Sequence, residues 1–277
     1  MFSDSRKYST ILFTAFAFLI FVSSQTIFAQ TKPDTTATTK PMPAETVPFS
    51  PKTPGATVTE FYRLMRERKY GEAFSLSIYK PAIDGLTPED LADLAPDFEA
   101  MAANIPSNIE VTREEISGNR AIVFIRVQDI DDEDPKTQPV QLKRDGDRWL
   151  ILSDDTTAES AVQRDGKNYF FNLRIDTHHT EVETIMRELV KAEFAYASQN
   201  GGRYAELAEL IRSGLVTDDL LNTKSTGYKF RVTVSKDGKS YSGGAEPERY
   251  GKTGRFSYSL KVNSFDKKDN GGKPYSH

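Results

Sequence analysis

The sequence predicts an α+β protein whose helices and strands form two successive domains. Its 277 residues are enough for two modest domains. Apolar residues recur with a helical period up to about residue 106 and then alternate with the two-residue period of strands. The same change is repeated after residue 180. We therefore expect N-terminal helices on a curved, cone-like antiparallel sheet, followed by a long amphipathic helix packed on a small antiparallel β-meander.

The chain begins with a segment typical of export. The apolar run ILFTAFAFLIFV, residues 11–22, follows Arg6 and Lys7. A helix that spans a bilayer needs about 20 apolar residues, so this run is too short and better fits a secretory signal peptide. Ala29 predicts cleavage that removes residues 1–29, and an uncleaved N-terminal anchor is the alternative. We expect a periplasmic, cell-envelope or extracellular protein.

Composition narrows the expected partners. The chain has no cysteine, which excludes both disulfides and a lipid anchor on a lipobox cysteine. The net charge of −4 argues against a nucleic-acid or anionic-membrane surface, and the mean hydropathy of −0.53 suits a soluble globular protein. After signal removal we expect no membrane insertion. Residues 30–56 are rich in Pro and Thr, and we expect them to form a disordered linker.

The first domain, expected over residues 57–155, opens with helices. Thr57 and Glu60 make a capping-box pattern ahead of an apolar stripe. The stretch RKYGEAFSLS predicts a turn and a short second helix, and Thr87 followed by Pro88 predicts the start of a third.

Four strands are predicted after these helices. They lie in the stretches NIEVTREEIS, NRAIVFIRVQD, QPVQLKRD and DRWLILSD. Asp145-Gly146 is expected to join the last two in a tight hairpin. Helices followed by an antiparallel sheet predict a layered α+β domain.

The first domain resembles the nuclear transport factor 2-like (SnoaL-like) superfamily. The resemblance rests on VTEFYRLMRERKYGEAFSLS and VQLKRDGDRWLIL and covers about residues 56–155. It implies helices that close one side of a strongly curved sheet, and a cone in which family enzymes commonly use Asp or His as acid or base. An unrelated α+β roll with the same core pattern is the alternative.

The connector and the second domain follow. Residues 156–179 are too apolar for a free linker, and we expect them to pack as a strand or turn. Thr180 and Glu183 form a second capping-box pattern, which predicts an amphipathic helix to about Ser198, ended by the NGG turn. A short helix, YAELAELIRSG, and three alternating strands, GYKFRVTVS, KSYSGGAEP and RFSYSLKVN, complete the second domain, residues 180–277.

The second domain resembles the globular heads of type IV pilins and of pseudopilins of type II secretion. The resemblance rests on QNGGRYAELAEL, SGLV, GYKF, AEP and YGKTGRFSY. The family's N-terminal apolar helix, with its processing site and glutamate, is missing before this head. The predicted helix instead carries charged residues, among them Glu181, Glu183, Glu188 and Lys191. We therefore expect a stalkless head that does not assemble as a pilus subunit.

No residue pattern predicts catalysis. The first domain contains no histidine, which excludes a His-Asp pair within it. Phosphate-loop, nucleophile-elbow and HExxH motifs are missing from the sequence. Six residues are candidates for a cavity but are more simply caps, surface positions or core: Asp84, Asp90, Asp97, Tyr62, Phe74 and Trp149. We expect no enzyme, no catalytic residue and no cofactor.

The sequence offers weak candidates for a metal site. His178 and His179 are adjacent, so on a helix they point about 100° apart, and we expect a solvated helix start. His277 ends the chain. The acidic stretches 129–135 and 266–272, the second with Asp266, Asp269 and Asn270, lack EF-hand spacing and are expected to be solvated loops, with calcium as the alternative. The pairs Gly201-Gly202 and Gly243-Gly244 are expected in turns or bulges.

Three functional hypotheses remain from the sequence. The first is an exported, non-enzymatic protein that binds a protein partner or a small apolar ligand. The second is an accessory component of a secretion or pilus system that docks through its pilin-like head. The third is a small-molecule enzyme that uses the cone of the first domain.

Overall fold

A computed structural model describes residues 53–103, 105–106, 108–127 and 136–275. The predicted signal peptide, linker residues 30–52, the acidic stretch 129–135 and His277 lie outside this part of the chain. Contacts divide the described residues into a first unit up to Lys167 and a second unit from Asn168. Helices are combined with two antiparallel four-stranded sheets, which confirms the mixed α and β class.

The first unit contains five helices and one sheet among its described residues. The helices are α1 (Pro54–Arg66), α2 (Tyr70–Phe74), α3 (Lys80–Ile83), α4 (Pro88–Ala102) and α5 (Ala158–Asp165). The strands are β1 (Ile109–Ser117), β2 (Arg120–Val127), β3 (Lys136–Asp145) and β4 (Arg148–Ile151). They are hydrogen-bonded in chain order, and each neighbouring pair is antiparallel, as predicted.

Helix α1 begins earlier than the sequence predicts. The Thr53 side chain accepts a hydrogen bond from the Ala56 N–H at 3.2 Å, and Pro54 occupies the first helical position. Thr57 lies inside the helix, where its hydroxyl donates to the Thr53 carbonyl. The prediction of a helix start at Thr57, and of a linker reaching residue 56, is therefore wrong.

The start of α4 is confirmed. Thr87 and Asp90 form a reciprocal capping box, in which the Asp90 N–H donates to the Thr87 hydroxyl at 3.1 Å and the Thr87 N–H donates to the Asp90 carboxylate at 3.2 Å. Pro88 occupies the first turn, where its missing N–H costs no helical hydrogen bond.

The first sheet buries one face. In β2, Ala121, Val123 and Ile125 are buried while the residues between them are more exposed, as alternation requires. Helix α1 packs on this sheet so closely that a Cβ on Gly55 would lie 2.2 Å from the Glu114 carboxylate.

The β3–β4 turn lies one residue later than predicted. It consists of Gly146 and Asp147, because Asp145 pairs with Arg148.

The second unit is built on one long helix. Its helices are α6 (Tyr169–Gln199), α7 (Leu207–Arg212) and α8 (Thr223–Thr226). Its strands are β5 (Tyr228–Val234), β6 (Tyr241–Pro247), β7 (Phe256–Lys261) and β8 (Ser264–Asp269), hydrogen-bonded in chain order.

The connector prediction is wrong, because residues 156–179 are largely helical. The buried stripe of α6 runs upstream without a break from Val182 to His178, Ile175 and Phe171. The Thr180 hydroxyl donates to the Asp176 carbonyl one turn back, which is the geometry of a helix interior. Histidine counts as a polar residue in a hydropathy pattern, so His178 and His179 interrupt the apolar stripe in the sequence. In the structure His178 is buried and continues the stripe.

The predicted meander gains a fourth strand, β8. This strand has one large apolar residue, Phe265, so alternation in the sequence is too weak to reveal it. A turn with Asn263 at a φ of 67° brings it back along β7, where Leu260 pairs with Phe265. The α6 stripe and the apolar faces of β5–β8 form one core: Val182, Met186, Leu189, Leu210, Tyr228, Val232, Ala245, Tyr258 and Leu260 are among its buried members.

Candidate functional site

The carboxylate candidates of the first unit occupy structural positions. Asp84 pairs with Lys80 one helical turn away, and Asp90 caps α4. Asp97 lies on the same helix and also has a polar or charged partner. The contacts of Asp84 and Asp90 are those of a surface ion pair and a cap, so they supply no argument for an acid or base.

The aromatic candidates of the first unit belong to its core. Tyr62, Phe74 and Trp149 are buried. The Phe74 ring lies 5.1 Å from Phe98 and 5.9 Å from Tyr79, between ring centres, which is normal core packing for aromatic side chains. Burial raises the pKa of Tyr62 to about 12, with a further contribution from the Asp154 carboxylate, so the phenol keeps its proton.

The adjacent histidines do not form a solvated helix start, and that prediction is wrong. Their rings hold the segment that leads from β6 to β7. His178 is buried, and its Nδ1 lies 2.8 Å from the Thr253 carbonyl, so this nitrogen donates the hydrogen. The Nε2 of His179 accepts from the N–H groups of Arg255, at 3.1 Å, and Phe256, at 3.4 Å.

The histidine contacts are matched by the surrounding backbone. Gly227 has a φ of 70°, and a Cβ there would lie 2.4 Å from the His178 Nδ1. Glycine is therefore required both for its conformation and for the close approach of the ring. The His179 ring packs on Phe256 with 4.6 Å between centres. We call His178, His179, Thr253, Arg255 and Phe256 the histidine clamp.

A buried carboxyl group lies farther along α6. Glu193 is fully buried, its Oε2 accepts from the Ala205 N–H at 3.0 Å, and its Oε1 has no hydrogen-bond partner. Burial raises the pKa of Glu193 to about 7, while the Ala205 bond lowers it and nearby Glu206 raises it further. The sequence did not reveal this residue, because a glutamate on an amphipathic helix is expected to lie on its exposed face.

A polar groove lies on the face of the second sheet opposite to α6. Its volume is about 200 Å³. Seven residues line it: Arg231, Thr233, Ser242, Gly243, Ser259, Leu260 and Lys261. The register places Arg231, Gly244 and Ser259 side by side on three neighbouring strands, so hydroxyl and cationic groups share one face.

Two glycines of β6 allow the neighbouring strands to approach closely beside this groove. A Cβ on Gly244 would lie 2.3 Å from the Tyr258 carbonyl, and one on Gly243 would lie 2.3 Å from the Arg231 carbonyl. Both glycines lie inside a strand, so their prediction as turn or bulge residues is wrong, whereas Gly201 and Gly202 end α6 with positive φ as predicted. Gly244 pairs with Arg231 and Ser259 and so lies on the groove face, whereas Gly243 pairs with the core residues Val232 and Leu260 and faces the other way.

Carboxylates accompany both cations of the groove. Arg231 is bonded to Glu246 on the neighbouring strand, and the Lys261 Nζ lies 3.6 Å from the Asp266 carboxylate. The groove thus offers donors and acceptors together, a surface suited to polar protein segments. Alternation of Lys229, Arg231 and Thr233 marks this face in the sequence, but the groove depends on glycines whose role the sequence did not reveal.

The calcium alternative at 266–272 is not supported by the structure. Asp266 and Asp269 lie in β8, three residues apart, and therefore on opposite faces of the sheet. The Asp269 carboxylate accepts from the Tyr250 hydroxyl at 2.9 Å, and the Asn270 amide donates to the Pro274 carbonyl at 2.9 Å. Within the described ranges, no group of three or more His, Cys, Asp or Glu side chains is arranged to hold a metal ion.

No protein-family model, curated protein or solved structure matches this chain. Both family resemblances therefore rest on the sequence motifs and stay predictions. No helix among the residues that the structure describes combines the length and apolar character of a membrane span.

Proposed function

We propose that this chain is an exported, non-enzymatic binding protein whose second unit recognises a protein of the cell envelope. The polar groove around Arg231 and Lys261 is the observation that carries this proposal. Its lining includes two cations and three hydroxyl side chains, which favours a protein segment over a small apolar ligand. Docking as an accessory of a secretion or pilus system is a particular case of the same binding.

Each unit has an architecture that supports the proposed families. Helices followed by a four-stranded antiparallel sheet, with α1 on that sheet, agree with a nuclear transport factor 2-like cone. A long helix packed on an antiparallel meander agrees with a pilin-like head. The charged residues along α6 argue against a role inside a filament core, because their charges would be desolvated there.

Export is the second part of the proposal and rests on the sequence of residues 1–29. Fractionation of cells that produce the full-length chain tests it. We expect the mature protein, shortened at Ala29, in the periplasmic or extracellular fraction. A full-length chain that stays in the cytoplasm would contradict export without affecting the groove.

A pair of matched double variants tests the groove. Arg231→Ala with Lys261→Ala removes both cations of the groove, whereas Lys236→Ala with Lys239→Ala removes two from the β5–β6 turn. Both lower the charge by the same amount. We expect the first pair to weaken binding of the purified chain to solubilised envelope proteins by about tenfold or more, and the second to leave it unchanged.

Circular dichroism and thermal melting of both double variants serve as the folding control. Equal losses in the two folded variants would show a nonspecific charge effect and would contradict the proposed site. Wild-type protein that binds no envelope protein would contradict the proposed function.

A further inference from the structure

We propose that the histidine clamp is an acid-sensitive latch, in which protonation of His179 releases the backbone N–H groups of Arg255 and Phe256, at the start of β7, from α6. The inference is independent of the proposed function. It rests on which ring nitrogen of each histidine must carry a hydrogen in the folded chain.

The acceptor role of His179 makes the latch sensitive to acid. Its Nε2 faces two backbone N–H groups, those of Arg255 at 3.1 Å and Phe256 at 3.4 Å. Only the neutral ring with hydrogen on Nδ1 has a lone pair at Nε2 to accept them. A proton added at Nε2 makes this nitrogen a donor that faces two backbone N–H donors. It can then accept neither of them, so both hydrogen bonds are lost.

His178 responds differently to acid. Its Nδ1 donates to the Thr253 carbonyl, and this nitrogen keeps its hydrogen in the neutral tautomer and in the cation alike. The latch therefore has one bond that survives acidification and one pair that does not. The Thr253 carbonyl stays bonded to α6, while the backbone N–H groups of Arg255 and Phe256 lose their bond to it.

The charges around His179 come from three elements. Asp176, His178 and Glu183 lie on α6, Lys267 lies on β8, and the Arg255 side chain lies beside β7. Burial lowers the pKa of His179, Lys267 and His178 lower it further, and Asp176 and Glu183 oppose this. The neutral ring is thus the form at neutral pH, and release belongs to the acidic range below its ordinary value of 6.5.

Neighbouring contacts limit the movement to a short segment. The Arg255 side chain donates to the Asn172 amide oxygen at 2.8 Å, and Arg249 and Thr253 are bonded to each other through the backbone at 2.8 Å. Neither bond involves a histidine ring, so protonation of His179 leaves both in place. Acid therefore opens the backbone at Arg255 and Phe256, next to the Phe256 ring on which His179 packs.

The test uses the mature chain labelled with ¹⁵N, followed by NMR between pH 7.5 and pH 4.5. We expect an unprotonated Nε2 on His179 at pH 7.5 and a protonated one at pH 4.5. Over the same range, protection of the Arg255 amide, corrected for intrinsic exchange, should fall by about tenfold or more. The Nδ1 hydrogen of His178 should remain visible throughout.

Two substitutions separate the acceptor from the ring. His179→Gln keeps a side-chain acceptor without a titrating group, so Arg255 protection should no longer depend on pH. His179→Phe keeps a ring on Phe256 without an acceptor, so protection should be low at every pH. His178→Asn, which keeps a donor toward Thr253, should leave the wild-type pH profile in place.

Three results would overturn the latch. One is Arg255 protection that does not change between pH 7.5 and pH 4.5 in the wild type. Another is a His179 ring that carries hydrogen on Nε2 at pH 7.5, since it could not accept the two bonds. The third is a His179→Gln chain with the same pH profile as the wild type. The ring measurement on the native chain keeps the test decisive if a variant fails to fold.

Discussion

Glu193 on α6 accepts the backbone hydrogen bond of Ala205 at 3.0 Å, and through it the helix holds the chain that leads to α7. The same carboxyl is fully buried and leaves its second oxygen without a partner. An ionised group in this position costs free energy, because one hydrogen bond does not replace the lost hydration. The second unit therefore carries a destabilising charge above neutral pH.

The pH dependence of stability follows from the raised pKa of Glu193. Below pH 4.5 the carboxyl is protonated in the folded and the unfolded chain, so its contribution does not change. Between pH 4.5 and about 7 the unfolded chain releases the proton while the folded chain keeps it, so the free energy of unfolding falls as pH rises. Glu193→Gln should abolish this fall and make the second unit more stable at pH 8 by about 2 to 3 kcal/mol.

Urea unfolding followed by the NMR signals of α6 measures this effect. At pH 4.5 the Glu193→Gln chain and the wild type should differ far less than at pH 8. His179 contributes the opposite slope below pH 6.5, but it cancels when the two chains are compared at one pH. A constant difference between the chains across this range would show that Glu193 does not titrate as described.

Gly227→Ala should destabilise the second unit by about 3 kcal/mol. The new methyl group would meet the His178 ring at 2.4 Å, in a backbone with a φ of 70°. Gly214 has a φ of 72° and no atom within 4 Å of its Cβ position. Gly214→Ala should therefore cost about 1 kcal/mol, from the backbone alone. Equal costs in thermal or urea unfolding would contradict the close packing of His178 on Gly227.

Tyr70→Phe should leave the first unit equally stable or more stable, by up to about 1 kcal/mol. The Tyr70 hydroxyl is buried without a hydrogen-bond partner, so its removal ends an uncompensated loss of hydration. Fluorescence of Trp149, the one tryptophan of the chain, reports on the unfolding of this unit.

Tyr228→Phe, in the second unit, should have the opposite effect. It removes the 2.9 Å hydrogen bond from the Tyr228 hydroxyl to the Phe256 carbonyl and should cost about 1 kcal/mol.

The start of α1 can be tested with two threonines. Thr53→Ala removes the side chain that caps the helix and should cost about 1 kcal/mol in Trp149-detected unfolding. Thr57→Val keeps the shape of a buried side chain and leaves the Thr57 N–H bonded to the Thr53 carbonyl, so it should change stability by less than about 0.5 kcal/mol. A larger loss of stability from Thr57→Val than from Thr53→Ala would place the helix cap at Thr57 instead.

Local patterns predicted most of the regular structure. Alternation in NRAIVFIRVQD revealed β2, and Thr87 with Pro88 revealed the start of α4, because a buried face or a cap leaves its mark within a few residues. Thr57 and Thr180 look like caps but lie inside helices, where their hydroxyls bond one turn back. Strand β8 is stabilised by its pairing with β7, and its mostly polar sequence does not predict a strand.

The candidate sites were harder to predict because they depend on contacts between distant residues. His178 meets Thr253 and His179 meets Arg255 across more than 70 residues. The groove requires Gly244 to lie between Arg231 and Ser259, a register that composition does not reveal. The buried state of Glu193 depends likewise on the core that closes around it.

Site-specific photo-crosslinking in living cells tests the central claim most directly. A crosslinking residue at Ser242 lies in the groove, and one at Lys239 lies in the nearby β5–β6 turn. We predict that the Ser242 probe captures a defined envelope protein, that Arg231→Ala with Lys261→Ala abolishes the adduct, and that the Lys239 probe does not form it. An adduct of equal yield from both probes, or none from Ser242 in the folded exported protein, would contradict a binding role for this groove.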